Sequence, residues 1–393
     1  MRGAATRAAL LSLSVMAEAC SFMGPGGIAE GGGQIVVAGE FTASHLDAID
    51  ADRAVAIAIA EHPTLDGYRL VYESFDDTLA GDWDLDKALQ NVKRMVREGR
   101  ILAVVGPWNS AIAARVVATS GQANLVMLSP STTRDCLTAR PQPCVFGGAP
   151  ATNFFRISGP NAMGGRAEAD FAIRELGLTK FAVLNDGGYY GTIVGDSFAA
   201  EVGTAGGSVV LRQTFSPFDQ SYAALLRQAR GAGAQALFVG SDNYQGACRL
   251  RAEMTGVFST NTYMFSGESI VDPACVADAG KAADDHLVGF TLARQPAAIP
   301  AALRSLPYGN QVDPYVFAAY DCAEILAASI DRAIKQSGGK IPTREQVVDA
   351  VAATHEFRGI TGTYSFLPNG DTSNPGVSLY YVRNGKWAFW QNI

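Results

Sequence analysis

Beyond its first 20 residues the chain has no stretch approaching the ~18 to 20 unbroken apolar residues that a membrane span needs. It has no basic run, and 31 Lys and Arg stand against 38 Asp and Glu, for a net charge of −7. That balance excludes an extended nucleic-acid-binding surface. Histidine is scarce: His45, His62, His286 and His355 are scattered, and no close Cys-x-x-Cys pair occurs, so the chain lacks zinc-ligand spacing. A Gly-x-Ser-x-Gly elbow, a phosphate loop and a dinucleotide fingerprint are also missing. The expectation is a protein without metal, cofactor or catalytic residues. What remains is a chain of 393 residues, 48% hydrophobic and 18% charged, with enough apolar residues for more than one core.

The first 19 residues read as a signal peptide. Arg2 and Arg7 precede an apolar run, Ala8 to Met16, and small residues surround the cut at Ala17-Glu18-Ala19-Cys20. The cut suits soluble export, and Cys20 directly after it also suits attachment of a lipid. Residues 20–34, with Gly24-Pro25-Gly26-Gly27 and Gly31-Gly32-Gly33, read as a flexible tether. Six cysteines fit an oxidising compartment. Cys136 is expected to pair with Cys144 across a short loop and Cys248 with Cys275, although spacing does not fix connectivity. Cys322 is left free inside a helix.

From residue 35 onward, short β-rich runs alternate with helical periodicity. Ile35–Ala38, Arg69–Glu73, Ile101–Val105 and Leu125–Leu128 read as strands; Asp50–Glu61, the stripe from Leu85 to Val96, and Ile112–Gly121 read as helices. The almost wholly apolar Ile101–Val105 suits a parallel sheet covered on both faces. A second series follows, with strands at Phe181–Leu184, Val209–Leu211, Ala236–Val239 and Tyr263–Phe265 and helices between them. Two such series predict an α/β protein of two doubly wound, parallel-sheet lobes. After residue 285 come strand Leu287–Phe290, a long helix from Pro314 to Gln336, a helix from Arg344 to Ala353, and a final hairpin turning at Asn384-Gly385.

Four segments carry a resemblance: Val104-Val105-Gly106-Pro107-Trp108-Asn109-Ser110; Ser129-Pro130-Ser131-Thr132-Thr133; Tyr189-Tyr190-Gly191; and Phe357 to Phe366 followed by Asn369-Gly370-Asp371. In this order, from about residue 35 to the C-terminus, the chain resembles the branched-chain amino-acid-binding periplasmic proteins that serve ABC importers. The resemblance implies a periplasmic binding protein of type I, its lobes joined by a three-stranded hinge and closing on ligand. By analogy the crossings fall near Arg156–Ser158, near Phe290 and near Thr361–Thr363. Lobe 1 would then hold 35–157 plus 291–361, and lobe 2 158–290 plus 362–393.

A free amino acid trapped between lobes needs partners for its carboxylate and its ammonium. Strand ends and helix N-termini of open α/β sheets suit that task. Ser110 opens a helix just past an apolar strand, either as a plain helix cap or, as the resemblance implies, as a carboxylate-binding serine. Ser131, Thr132 and Thr133 follow the next strand, where family members use a backbone N–H and a threonine hydroxyl. Glu268, just past strand Tyr263–Phe265, matches the family's ammonium-binding glutamate, and Asp242 offers a second acceptor. Trp108, Tyr190 and Tyr315 would form aromatic walls, with ordinary core packing as their alternative. One departure stands out. Family members often carry a Gly-rich stretch with a tyrosine after the first strand, whereas this chain has Gly39-Glu40-Phe41-Thr42-Ala43-Ser44-His45. Which side chain the pocket accepts is therefore open.

Three functional classes separate at this level. An enzyme is disfavoured by the missing motifs. A ligand-sensing module feeding a receptor or regulator shares the same fold. A monomeric, exported carrier delivering a small molecule to a membrane permease best joins the signal peptide to the resemblance.

Overall fold

The computed structural model describes residues 33–139, 144–147, 152–307 and 313–393. The expected signal peptide, Cys20 and nearly all of the tether lie outside the described residues. The first sheet begins with β1 (Gln34–Phe41), α1 (Leu46–Glu61), β2 (Thr64–Leu65) and β3 (Tyr68–Asp76). A small ribbon of β4 (Thr78–Leu79) and β5 (Asp82–Trp83) leads into α2 (Leu85–Arg97). Asp84 caps α2 by accepting from the N–H groups of Asp86 and Lys87, and Ala88, Val92 and Met95 bury its apolar face. Then follow β6 (Ile101–Val105), α3 (Ser110–Gly121), β7 (Val126–Ser129) and β8 (Phe154–Arg156). The strand order is β2-β3-β1-β6-β7-β8, parallel except for β2. Every residue of β6 is buried, as its unbroken apolar composition requires in a sheet covered on both faces.

The second series runs α4 (Asn161–Arg174), β9 (Lys180–Asn185), α5 (Tyr189–Thr204), β10 (Ser208–Thr214), α6 (Ala223–Gly231), β11 (Ala236–Gly240), α7 (Tyr244–Met254), β12 (Met264–Ser266), α8 (Pro273–Ala279) and β13 (Leu287–Thr291). Helices α4 and α8 have no counterpart in the expected elements. The chain then returns through α9 (Pro314–Gln336) and α10 (Arg344–Ala352) to a ribbon of β14 (Phe357–Arg358) and β15 (Thr363–Tyr364). It ends on β16 (Ser378–Arg383) and β17 (Lys386–Asn392). The second sheet has the order β10-β9-β11-β12-β13-β16-β17, with the last two antiparallel. Asn384 and Gly385 both take positive φ, the turn that an Asn-Gly hairpin favours.

The returning segments are tied to the first sheet. Tyr320 of α9 donates to Glu61 at 2.7 Å, and His62 meets Glu324 at 2.9 Å. Arg344, at the start of α10, donates to the carbonyls of Met95, Val96, Glu98 and Ile101, satisfying the open end of α2. Asp321 of α9 accepts the N–H groups of Ile360 and Thr361, both at 2.8 Å, and the Thr361 hydroxyl. A Cβ on Gly359 would lie 2.4 Å from that carboxylate, so this close approach requires glycine. Residues 366–372 also meet the first sheet. The N–H of Arg156 donates to Gly370 at 3.0 Å and that of Thr372 to Arg156 at 3.1 Å. Disulfides join Cys136 to Cys144 and Cys248 to Cys275, and Cys322 is buried and unpaired in α9. Among the described residues no helix is long and apolar enough to cross a membrane.

Candidate ligand-binding site

The carboxyl ends of β6 and β7 from the first sheet, and of β9, β11 and β12 from the second, converge on a cavity of about 690 Å³. That volume lies within the range of small-molecule sites. The loops after β6 and β7 are laced together. Ser129 donates to the Pro107 carbonyl at 2.8 Å and accepts from the N–H of Thr132 at 3.0 Å. Ser131 donates to the Trp108 carbonyl at 2.7 Å. Asn109, not Ser110, caps α3 by accepting from the Ala111 N–H at 2.7 Å. The Ser110 hydroxyl instead accepts the N–H groups of Thr133 at 3.1 Å and Arg134 at 3.3 Å. With its oxygen so used, its own proton is left to donate to an acceptor in the cavity.

Across the cavity stands Glu268, at the end of β12. It accepts from the Thr133 hydroxyl at 3.2 Å and from the Tyr315 hydroxyl, while its N–H donates to the Tyr190 oxygen at 2.9 Å. Burial pushes its carboxyl up to about 7; the Tyr315 and Thr133 hydroxyls pull it down and the Asp242 charge raises it. Asp242, past the end of β11, is pushed up to about 6 by burial and by Asp186, with Arg134 opposing. Tyr315 also accepts the Leu292 N–H at 2.9 Å, so its ring is fixed at both edges of the hydroxyl. Trp108 packs edge-on against it at 6.2 Å.

Of the nine residues proposed from sequence, eight line this cavity: Trp108, Ser110, Ser131, Thr133, Tyr190, Asp242, Glu268 and Tyr315. Thr132 does not line it. Its side chain is buried and its carbonyl accepts from Arg156 at 3.1 Å and Ser158 at 3.0 Å, so it anchors the loop from beneath. Sequence reasoning missed Arg134, Tyr189, His45, Asp47, Asp272 and Asp313. Three of these left a signal. Asp313 precedes Pro314 at the start of α9, an Asp-Pro pair that marks a helix cap at a strand-end level. His45 and Asp47 lie in and just beyond the segment where the chain departs from the family pattern. Arg134 stacks over Tyr189 at 5.1 Å, and the Tyr189 hydroxyl donates to Cys136 at 3.3 Å, joining α5 to the disulfide loop. Among the described residues no group of acids, histidines or cysteines is arranged to hold a metal ion.

The periplasmic binding protein family model matches residues 35–386, nearly the whole described chain. The chain belongs to the periplasmic binding protein family. It is 25% identical to Leu/Ile/Val-binding protein homolog 3 of Brucella melitensis, over 81% of this chain and 82% of that one. The leucine-binding protein LivK of Thermotoga maritima superposes with a TM-score of 0.70 at 21% identity, covering 92% of this chain and 98% of that one. A Desulfitobacterium hafniense ABC transporter substrate-binding protein complexed with Leu superposes with a TM-score of 0.71 at 21% identity, over 91% of this chain and all of that one. Membership in this binding-protein family, with its two-lobed type I fold, accounts for a cavity that opens between two sheets and collects polar groups from both.

Proposed function

We propose that the protein is the extracytoplasmic solute-binding component of an ABC importer, that it captures an amino acid by lobe closure, and that it performs no reaction on it. The observation that carries this reading is the pairing of Ser110 with Glu268 across one cavity: a hydroxyl at the N-terminus of α3, held by the Thr133 and Arg134 N–H groups, faces a buried carboxylate that accepts from the Thr133 and Tyr315 hydroxyls. A free amino acid carries the complementary carboxylate and ammonium a few ångströms apart. The Leu/Ile/Val-binding relatives support the same ligand class. The lobes are taken as 35–157 with 291–361 and 158–290 with 362–393, residues 366–372 reaching back to β8. The reading of residues 1–19 as a signal peptide supports a location outside the cytoplasm, with Cys20 as the residue that would carry a lipid.

A thermal-shift screen of the protein against amino acids, amides and small carboxylates tests this. A ligand at ~100 times its dissociation constant adds about 2.7 kcal/mol of stability. Glu268→Ala and Ser110→Ala should each abolish that shift. A flat response to every amino acid, or unchanged shifts in both variants, would show the reading to be wrong.

A further inference from the structure

The cavity is lined by more carboxyl groups than the ammonium of an amino acid can match. Besides Glu268, its described walls carry Asp47, Asp242, Asp272 and Asp313, against the single guanidinium of Arg134 and the ring of His45. Arg134 opposes Asp242 and stacks on Tyr189. Three more aspartates of the lining arrive from separate elements. Asp47 lies in the first turn of α1, Asp313 caps α9 through the Tyr315 N–H at 2.9 Å, and Asp272 caps α8 through the Ala274 N–H at 2.6 Å. Burial raises both Asp313 and Asp47, and the neighbouring acids add to it, Asp47 at Asp313 and Asp272 at Asp47. Glu268 also bears on Asp313, which places the ammonium acceptor beside these acids. His45 faces Asp47 but also meets Asp82 at 3.5 Å on the outer side, leaving one imidazole for three carboxylates.

Like charges gathered in a partly buried pocket cost free energy unless a cation meets them. Among the described residues these acids are not spaced as ligands of a metal ion, so the cation they suit is larger and softer. Two indoles, Trp83 and Trp108, line the same cavity, and indole is the ring that attracts a cation most strongly. The cavity, about 690 Å³, also has room for a long side chain. Resting on the amino-acid reading above, we propose that Asp47, Asp272 and Asp313 make this pocket select an amino acid whose side chain ends in a cation, an ammonium or a guanidinium, over the aliphatic amino acids.

Calorimetric titration of the protein with L-lysine, L-arginine, L-leucine and L-norleucine tests the inference, because norleucine has lysine's chain without its ammonium. Lysine or arginine should bind about 30-fold or more tightly than norleucine, the loss expected when a desolvated charge loses its partner. In the Asp47→Asn, Asp313→Asn double variant that ratio should fall to a few-fold while norleucine affinity stays within about twofold. Asparagine keeps the cap on α9, and Asp47→Asn alone gives the same reading if the double variant folds poorly. Leucine or norleucine binding as tightly as lysine and arginine overturns the cationic selection and leaves the amino-acid reading standing. If no α-amino acid binds, both fall. A simple diamine binding in their place would show that the acidic cluster acts on a ligand of another class, and would also overturn the inference as stated.

Discussion

Glu268 gives the most demanding test of the site, because ligand and proton compete for it. Its carboxyl titrates at about 7 in the ligand-free protein, and only the ionised form can pair with an ammonium. An amino acid keeps both of its charges from pH 8 down to pH 5, so the titration belongs to the protein. At pH 8 about nine-tenths of Glu268 is ionised; at pH 5 about one-hundredth is. Affinity should therefore be nearly level above pH 7 and fall about tenfold per unit below it, a loss of roughly 2.7 kcal/mol by pH 5. Asp242, at about 6, should steepen the fall in its lower half if its charge contributes to binding. Binding at pH 7 should release about half a proton, as the ammonium pulls Glu268 into its ionised form.

The stability of the ligand-free protein should move the other way. Glu268 titrates above its ordinary value of 4.5, so between about 4.5 and 7 the native state holds a proton that the unfolded chain has lost. The contribution from this group is fully present below about 4.5 and is lost as pH rises through 7, up to about 3 kcal/mol. Calorimetry across pH 8 to 5, in two buffers of different ionisation enthalpy, measures affinity and proton release together. Glu268→Gln should bind at least about 30-fold more weakly at pH 8 and show little slope above pH 6. A wild-type affinity that stays within twofold from pH 8 to 5.5, or a Gln variant with the same slope, would refute the role given to this carboxyl.

Other outcomes follow from the scaffold beneath the site. Arg156 is 1% exposed; it donates to Asp371 at 2.6 Å, to the carbonyls of Thr132 and Arg134, and to the Thr138 hydroxyl. Arg156→Met should destabilise the protein by about 3–5 kcal/mol in thermal or denaturant unfolding, since it strands a carboxylate and two buried carbonyls. Weaker ligand binding should accompany that loss, because the 131–134 loop loses its floor. Removing the Cys248–Cys275 disulfide, which spans 27 residues, should cost about 3.5 kcal/mol, and removing Cys136–Cys144, which spans 8, about 2.5 kcal/mol. Urea midpoints of the paired Cys→Ser variants check the ranking, and a larger effect for the shorter loop would contradict the chain-entropy account.

Much of the architecture was legible because its signals are local. The buried run Ile101–Val105, the stripe Ala88, Val92, Met95 and the Asn384-Gly385 turn each state their structure within a few residues. Helix α4 was missed for the same reason: Asn161–Arg174 contains Gly164 and Gly165, whose missing side chains let the helix pack closely on α5 and on Phe290. Those glycines read as loop until the neighbour is known. The site divides along the same line. Ser110, Thr133 and Glu268 follow strands within a few residues and match the family pattern, so the sequence brings them forward, and all three line the cavity. Asp47 and Asp313 lie 266 positions apart in sequence, and each looks like an ordinary first-turn or capping acid when taken singly. Only the packing of α9 against α1 brings them to one cavity, where their shared repulsion becomes a property of the pocket. An acid at a helix N-terminus gains from the partial positive charge there. Burial and mutual repulsion work against that gain for Asp47 and for the cap Asp313, and in the proposal above a cation brought by the ligand offsets the loss. On that proposal ligand selectivity is a feature of long-range packing, which the local family pattern does not carry.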